Sequence, residues 1–145
     1  MRKVQLILLL FIVTNIKAQE KFSFKISKDS SLSYILNHIV ENKKFEAHTF
    51  FIQLFVVSNP GGSAKIKGND EVSDNIYITT SEFDEVPVHH LFILKDIYAA
   101  RDNISFKENN DGTVDLKIGY YDRILKKKRI HNFTISLDLI KETIS

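Results

Sequence analysis

Residues 49–57 read TFFIQLFVV, and this stretch decides the fold that the sequence predicts. Side chains alternate between the two faces of a β-strand. Here both alternate sets are apolar, apart from Gln53. A strand with two apolar faces is typical of the interior of a sheet that is covered on both sides. The sequence therefore predicts a central strand with a layer of structure on each face.

A helix predicted just upstream supplies one of those layers. Asp29 and Ser30 offer side-chain oxygens that can cap the first turn of a helix. The apolar residues that follow recur at offsets of three, four, seven and eight positions, which places them on one helical stripe. These are Leu32, Ile35, Leu36, Ile39 and Val40. We therefore predict an amphipathic helix that ends near residues 42–44 and packs on one face of the sheet.

The rest of the chain has the composition of β-strands. Segments rich in Ile, Val, Phe, Tyr and Thr are joined by short connections. They cover residues 75–80, 88–94, 103–107, 113–121 and 129–137. The sequence NNDG at residues 109–112 predicts a tight turn, because Asn, Asp and Gly tolerate positive φ. Residues 22–26 are predicted to form a short edge strand, and residues 137–144 one or two helical turns.

Together these elements predict an α+β domain, with one N-terminal amphipathic helix packed on an antiparallel β-meander of about five strands. A closed, β-rich barrel is the alternative that the same strand pattern allows. Within residues 113–121, the apolar side chains share one face and the polar ones share the other. This alternation predicts a half-buried strand.

The first residues have the layout of a secretory signal. The chain starts MRK, residues 6–13 form an unbroken apolar run, and Ala18 places a small residue where cleavage needs one. We predict cleavage between Ala18 and Gln19, which leaves residues 19–145 as a single exported domain in the periplasm or outside the cell. As a helix the apolar run spans about 12 Å, against about 30 Å of bilayer hydrocarbon, so no permanent membrane span is expected.

Loss of the signal changes the charge balance of the chain. The 20 basic residues fall to 17 against 18 acidic residues, because Arg2, Lys3 and Lys17 leave with the signal. A nearly neutral chain has no general attraction for nucleic acid, so nucleic acid is not an expected partner. The chain contains no cysteine, which excludes disulfides and thiolate metal sites. Its stability must therefore come from packing.

The glycine-rich segment SNPGGSAKIKGNDE, residues 58–71, raises the question of a phosphate-binding loop. Such a loop needs a glycine directly before the lysine, a Ser or Thr after it, and then a helix. Here Ala64 precedes Lys65, Ile66 follows it, and no apolar helical stripe comes next. No phosphate site is predicted. What remains is a connection of roughly 17 residues, against a median of about 4–6, which is either a mobile loop or a loop that contacts a partner.

Two sets of residues are the predicted partner contacts. The set in the glycine-rich segment comprises Asn59, Gly61, Gly62, Lys65 and Lys67. The set at a predicted hairpin tip comprises Lys126, Lys127, Lys128 and Arg129. A solvated basic tip that discourages aggregation between sheet edges is the simpler interpretation of the second set. Docking onto the acidic surface of another protein is the functional interpretation of both.

Histidines are the remaining candidates for chemistry. His89 and His90 are adjacent, so on a strand they point to opposite faces and do not readily hold one metal ion. One exposed and one half-buried histidine at a strand entrance is the simpler prediction. His131 shares the apolar face of its strand with Phe133, which predicts either a satisfied histidine at the edge of the core or a base at the mouth of a pocket with Tyr120. No cofactor, metal or catalytic triad is predicted.

The functional expectation follows from these points. Two glycan acceptor patterns, at Asn103 and Asn132, fall in predicted strands and are interpreted as chance matches. We expect a small exported, soluble, non-catalytic interaction domain, such as a binder, an inhibitor or an immunity-type protein, that acts through its surface loops. The alternative is a small-ligand carrier or hydrolase-like enzyme with an apolar pocket between helix and sheet. A third hypothesis, an accessory subunit of an envelope assembly, requires an exposed apolar patch.

Overall fold

The computed structural model describes residues 27–63, 72–98, 103–122 and 125–143. These ranges contain one helix, α1 (Ser30–His38), and eight strands. The strands are β1 (Ile39–Glu46), β2 (Phe50–Ser63), β3 (Val72–Glu82), β4 (His89–Ile97), β5 (Ile104–Glu108), β6 (Val114–Asp122), β7 (Lys127–Ile135) and β8 (Ile140–Thr143). The predicted signal, its cleavage site and the predicted strand at residues 22–26 lie outside the described residues.

The eight strands form two antiparallel sheets of four strands each. The first sheet has the order β1-β2-β3-β4, and the second has the order β5-β6-β7-β8. The prediction of a single meander of about five strands is therefore wrong in strand count, and the barrel alternative is wrong because neither sheet closes on itself. The described structure is mostly antiparallel β-sheet with one short helix, which agrees with the α+β prediction only in part.

The two sheets share one hydrophobic core. Its fully buried members come from both sheets and are Ile52, Leu54, Val56, Ile76, Ile78, Val114, Leu116 and Ile135. The rings of Phe45 and Phe106, one from each sheet, stack with their centroids 5.3 Å apart. The Thr80 hydroxyl donates a hydrogen bond to the carbonyl of Leu137, which also links the sheets. Burying each large aliphatic side chain contributes roughly 1.5–3 kcal/mol, so this interface stabilises the sandwich.

Strand β2 confirms the strand predicted from TFFIQLFVV but differs in how it is covered. Leu54 and its alternate neighbours are fully buried against the second sheet. On the opposite face Phe51, Gln53 and Phe55 are only half-buried. The predicted second covering layer is therefore incomplete along this strand, and the first sheet has a partly exposed outer face with aromatic side chains.

Helix α1 begins where the sequence predicts. The carboxylate of Asp29 accepts a hydrogen bond from the N–H of Leu32 at 2.9 Å, which is the geometry of an N-cap. No residue of the helix is buried, and Leu36 is 61% exposed. The prediction that this helix covers a face of the sheet is wrong.

The end of α1 is also earlier than predicted. The helix stops at His38, and Ile39 and Val40, predicted to be helical, begin β1 instead. Ile39 has extended dihedral angles and pairs with Val57 of β2. These β-branched residues fit a pleated sheet well, and pairing with β2 outweighs their helical spacing.

The predicted tight turn and the predicted C-terminal helical turns have different outcomes. The tight turn at residues 109–112 is confirmed, with Gly112 at φ 80° and its N–H donating to the carbonyl of Asn109 at 3.1 Å. The helical turns predicted near the C-terminus are wrong, since β8 pairs with β7 there. Among the described residues, no helix combines the length and the hydropathy that crossing a membrane would require.

Candidate functional site

Several chain reversals lie at one end of the sandwich, which we call the apical end. At this end β2 stops and β3 begins, with Asn59 paired to Ser73, and β4 finishes beside the start of β3. The N–H of Tyr121, near the end of β6, donates to the carbonyl of Tyr98, just after β4, at 2.8 Å. The end of β2 and the start of β7 therefore lie at the same end of the molecule. The first contains part of the predicted glycine-rich contact segment, and the second contains most of the predicted basic run.

Of the predicted connection over residues 59–75, the described residues 59–63 and 72–75 are strand, and residues 64–71 lie outside the described residues. β2 continues to Ser63, and β3 already begins at Val72. The amide of Asn59 donates to the hydroxyl of Ser73 at 3.4 Å, across the two strands. The prediction of an irregular connection is therefore wrong for residues 59–63 and 72–75, where polar side chains pair across the ladder.

The glycine-rich contact residues are only partly placed by the structure. Gly61 and Gly62 lie in the last part of β2. Gly61 is exposed, and the atom nearest to a Cβ built on it would be Oδ1 of Asn59 at 3.8 Å, so the site has room for a side chain. Lys65 and Lys67 lie outside the described residues.

The basic run begins in the turn that enters β7 and continues into the strand. Lys126 has a positive φ of 50°, and β7 begins one residue later. Lys128 pairs with Tyr121 of β6, so most of the run is strand and not turn. Nη1 of Arg129 lies 3.5 Å from Oδ2 of Asp122, and this ion pair bridges the base of the hairpin.

A surface groove of about 570 Å³ lies beside this run, on the outer face of the second sheet. We call it the basic groove. Its lining residues are Asn103, Ile104, Ser105, Lys117, Gly119, Tyr120, Tyr121, Lys128, Arg129 and Ile130. Cross-strand pairs form its base, with Ser105 opposite Lys117 and Gly119 opposite Ile130. The lining contains three cationic side chains and no carboxylate.

The shape of the basic groove depends on Gly119. Its N–H donates to the carbonyl of Asn103 at 2.8 Å, which brings the residue preceding β5 across β6. A Cβ on Gly119 would lie 2.4 Å from the Cβ of Asn103, which is too close for two carbon atoms that are not bonded to each other. Only glycine permits this close approach of two backbones.

The cations of the basic groove differ in their partners. Arg129 is paired with Asp122. In the described part of the chain, neither Lys117 nor Lys128 forms an ion pair, and both ammonium groups remain exposed. Ile130, which is 61% exposed, adds an apolar contact surface beside them. The groove is therefore suited to a ligand with both negative charge and apolar atoms.

His131 and Tyr120, the two predicted pocket residues, are brought together by the second sheet. Their rings stack with centroids 4.3 Å apart and an interplanar angle of 14°. Nδ1 of His131 lies 2.7 Å from Oε1 of Glu142 on β8, a carboxylate that spacing along the sequence does not reveal. The histidine side chain is 33% exposed and the glutamate side chain is 55% exposed. His131 thus has partners at the edge of the core, as one of the two predictions states.

The depression around this pair differs from the pocket expected in the alternative hypothesis. It has a volume of about 240 Å³ and is lined by residues of β6, β7 and β8, including Thr143. The predicted place for a pocket was between helix and sheet, but α1 contributes nothing to this depression. Tyr120 and Arg129 line both the depression and the basic groove, so the two sites adjoin.

The adjacent histidines occupy the entrance of β4. His89 is exposed and His90 is half-buried, which confirms the simpler of the two predictions for this pair. Within the described ranges, no group of three or more His, Asp or Glu side chains is arranged to hold a metal ion. His90 instead stacks on Phe92 of the same strand, with ring centroids 6.5 Å apart.

Among the described residues, two exposed carboxylates have a shifted pKa, and both lie away from the apical end. A hydrogen bond from Lys44, together with its positive charge, lowers the pKa of Glu46. The hydroxyl and then the N–H of Thr113 lower the pKa of Asp111, in the turn between β5 and β6. Both shifts come from local donors that stabilise the carboxylate, as expected in a turn and in a surface ion pair.

No protein family, curated protein or solved structure matches this chain, so its function is argued from its geometry.

Proposed function

We propose that this chain is a small exported interaction domain that binds an acidic segment of a partner protein in the basic groove. In this role it would be a binder, an inhibitor or an immunity-type protein, and it needs no catalytic step. One observation carries the proposal: the lining of the groove contains three cations together with the side chains of Tyr121 and Ile130, and it contains no carboxylate. Lys128 and Arg129 of the predicted basic run line the groove, whereas Lys126 and Lys127 are not part of its lining. Lys117 and Tyr121, which the sequence pattern did not single out, complete the set.

The electrostatics of the groove support an acidic ligand. Lys117 and Lys128 have no ion-pair partner among the described residues, so a ligand carboxylate would not have to compete with an internal one. Hydrogen bonds between charged partners are shorter and stronger than neutral ones. Because the chain is almost neutral without its signal, this attraction is local to the groove and does not extend over the whole surface.

The size of the groove supports a short peptide segment as the ligand. Its volume of about 570 Å³ lies within the range of roughly 300–1,000 Å³ that is usual for ligand sites. Tyr121 and Ile130 offer contact for apolar side chains between the acidic ones. Tyrosine is favoured in binding surfaces because it gives a large contact area at a low cost in conformational entropy.

The location of the protein is part of the proposal. The signal-like start supports export to the periplasm or the extracellular space, with cleavage after Ala18. In a cysteine-free chain, an oxidising compartment imposes no risk of incorrect disulfides. The partner is therefore expected to be another protein of the envelope or the extracellular space.

The His131–Glu142 pair supports a second candidate function, a small-ligand carrier or hydrolase-like enzyme. In the tautomer that carries its proton on Nδ1, the imidazole donates to Glu142 and leaves Nε2 to accept a proton. The hydroxyl-bearing Thr143 lines the same depression. The depression is small, however, and the core beneath it is filled, so this geometry supports binding at the surface better than a buried reaction site.

The proposal is tested by titrating the purified chain with a Glu-rich peptide that contains aromatic residues, using calorimetry. Lys117→Glu and Lys128→Glu are each expected to weaken binding about tenfold or more, because each replaces an attraction by a repulsion. Binding is also expected to weaken as salt is raised. Lys107→Glu is the matched control, since it makes the same charge change on β5 outside the groove lining.

The natural partner is sought by recovery from the envelope and extracellular fractions with the same variants. Recovery of one stoichiometric protein that is lost with Lys128→Glu and retained with Lys107→Glu would support the proposal. Recovery that is equal for both variants, or a titration in which a Lys-rich peptide binds as tightly as the Glu-rich one, would refute it. Hydrolysis of a simple ester that disappears in His131→Ala would favour the second candidate instead.

A further inference from the structure

The outer edge of β4 has no partner among the described strands. In the described part of the chain, β4 pairs with β3 on one side, and no strand pairs with its other side. Its N–H and C=O groups on that side are a template for another strand. Proteins usually protect such an edge by making it short, by placing charged residues on it or by interrupting it with a bulge.

The other three edge strands carry such protection, and most of β4 does not. β5 and β8 are short, with five and four residues. β1 contains four charged residues among its eight, namely Glu41, Lys43, Lys44 and Glu46. β4 has nine residues, and its first six contain no Asp, Glu, Lys or Arg. The only interruption is late, at Asp96, where φ is 57° and the register with β3 shifts.

The outer face next to this edge is apolar. Phe55, Tyr77 and Ile93 lie opposite one another on three consecutive strands and form a row that ends at the open edge. Ile93 is 44% exposed and Leu91, on the same face of β4, is 57% exposed. A strand added at this edge would extend the row and cover both side chains.

We propose that the chain forms a symmetric dimer in which β4 pairs antiparallel with β4 of a second copy, with Phe92 opposite Phe92. The register of β4 with β3 is regular over residues 89–94, and Phe92 lies near the middle of this part. Pairing about this residue places Leu91 of each copy opposite Ile93 of the other, on the outer face. The two first sheets then become one continuous sheet of eight strands.

A second copy fits this edge because the strand is self-complementary. In a two-fold interface, each contact between two residues occurs twice with the copies exchanged. Pairing about Phe92 gives two identical apolar pairs on the outer face and a phenylalanine pair on the inner face, and such cross-strand pairs are what stabilises sheets. Lys95, the first charged residue of the strand, follows the regular part and would lie opposite His89. The nearly neutral charge of the mature chain opposes association only weakly.

Sedimentation of the purified chain tests the dimer. The apparent mass is expected to double as protein concentration is raised. Leu91→Lys is expected to raise the dissociation constant by about tenfold or more, since by symmetry it removes both Leu91–Ile93 pairs. The control is Leu139→Lys, at another exposed leucine outside the first sheet. A monomer at every concentration, or equal weakening by both variants, would overturn the proposal.

Cysteine cross-linking tests the register independently of any effect on folding. Because the chain has no cysteine, introduced thiols react without a background. A mixture of Leu91→Cys and Ile93→Cys chains is expected to form a disulfide under oxidising conditions, while each variant alone is not. Directly opposed residues in antiparallel strands have Cα atoms about 4.5–5.5 Å apart, within the range of a disulfide. Cross-linking of each variant alone, with none in the mixture, would exclude this register.

Binding of acidic peptide in the basic groove is expected to be unchanged in either variant, so the two proposals succeed or fail separately.

Discussion

Gly119 and Asn103 approach each other so closely that a Cβ on Gly119 would lie 2.4 Å from the Cβ of Asn103. This contact brings the start of β5 across β6 and shapes the basic groove. The absence of a side chain at one position therefore determines the form of a surface made by its neighbours.

Replacement of Gly119 tests this contact. Gly119→Ala is expected to reduce the free energy of unfolding by about 1–3 kcal/mol, because the backbone of one strand must shift to relieve the overlap. Urea denaturation measures the change. Gly61→Ala is the control, since its nearest neighbour is at an ordinary distance of 3.8 Å. Adding Asn103→Gly to Gly119→Ala is expected to restore part of the loss, and strictly additive losses would contradict the steric explanation.

Two leucines distinguish the observed core from the one that helical periodicity predicts. Leu54→Ala is expected to cost about 2–5 kcal/mol, because its side chain is fully buried between the sheets. Leu36→Ala is expected to change stability by less than about 0.5 kcal/mol, since Leu36 is an exposed residue of α1. Thermal or urea unfolding of both variants is the measurement. A large loss in Leu36→Ala would show that the helix covers apolar surface after all.

The turn between β5 and β6 gives a prediction about pH. Because the hydroxyl and N–H of Thr113 lower the pKa of Asp111 below its ordinary value of 3.8, the folded chain holds this carboxylate ionised more strongly than the unfolded chain. Its contribution to stability is therefore present above the ordinary pKa and is lost as pH falls through the lowered one. Thr113→Val, which removes the hydroxyl alone, is expected to raise the pKa of Asp111 towards the ordinary value.

Titration of the side-chain carboxyl signals by NMR measures this shift. Glu46 serves as an internal reference, because it lies in β1 of the first sheet and its pKa is lowered by Lys44 of the same strand. Thr113→Val should leave the pKa of Glu46 unchanged. If the pKa of Asp111 does not move in this variant, the hydroxyl is not its main stabilising donor.

The His131–Glu142 pair gives a prediction about local motion. Glu142→Gln is expected to lower global stability by less than about 1 kcal/mol, because both side chains are partly exposed and such pairs are weak. Since the pair ties the edge strand β8 to β7, amide hydrogen exchange in β8 is expected to become faster. Lys141→Gln, a neighbouring change on the same strand, is the comparison. Equal acceleration in both variants would remove any special role for the pair.

The sequence predicts the local elements well where a single short-range cause determines them. Asp29 caps α1 because its carboxylate reaches an N–H three residues later, and residues 109–112 turn because Gly112 accepts positive φ. Strand β6 shows the predicted alternation, with Leu116 and its alternate neighbours buried. Each of these depends on residues that are close together along the chain.

The sequence predicts the candidate site only in part. It identifies Lys128, Arg129, Tyr120 and His131, but their relationship to one another depends on strand register. Glu142 could have been found only by noting that a strand at residues 140–143 pairs with β7, and the apolar spacing near the C-terminus indicated helical turns instead. Lys117 has no local feature that separates it from any other exposed lysine.

By itself, the amino-acid sequence determined that the segments containing β2 to β7 extend, that residues 109–112 turn, and that packing without thiols must stabilise the fold. The tertiary structure alone decided that Ile39 and Val40 leave the helix, that the strands divide into two sheets, and that Lys117 lines the same groove as Lys128. The physical reason is the range of the forces involved. Caps, turns and alternation act over a few bonds, whereas the choice of a neighbouring strand or covering layer depends on the apolar surface buried by the whole chain.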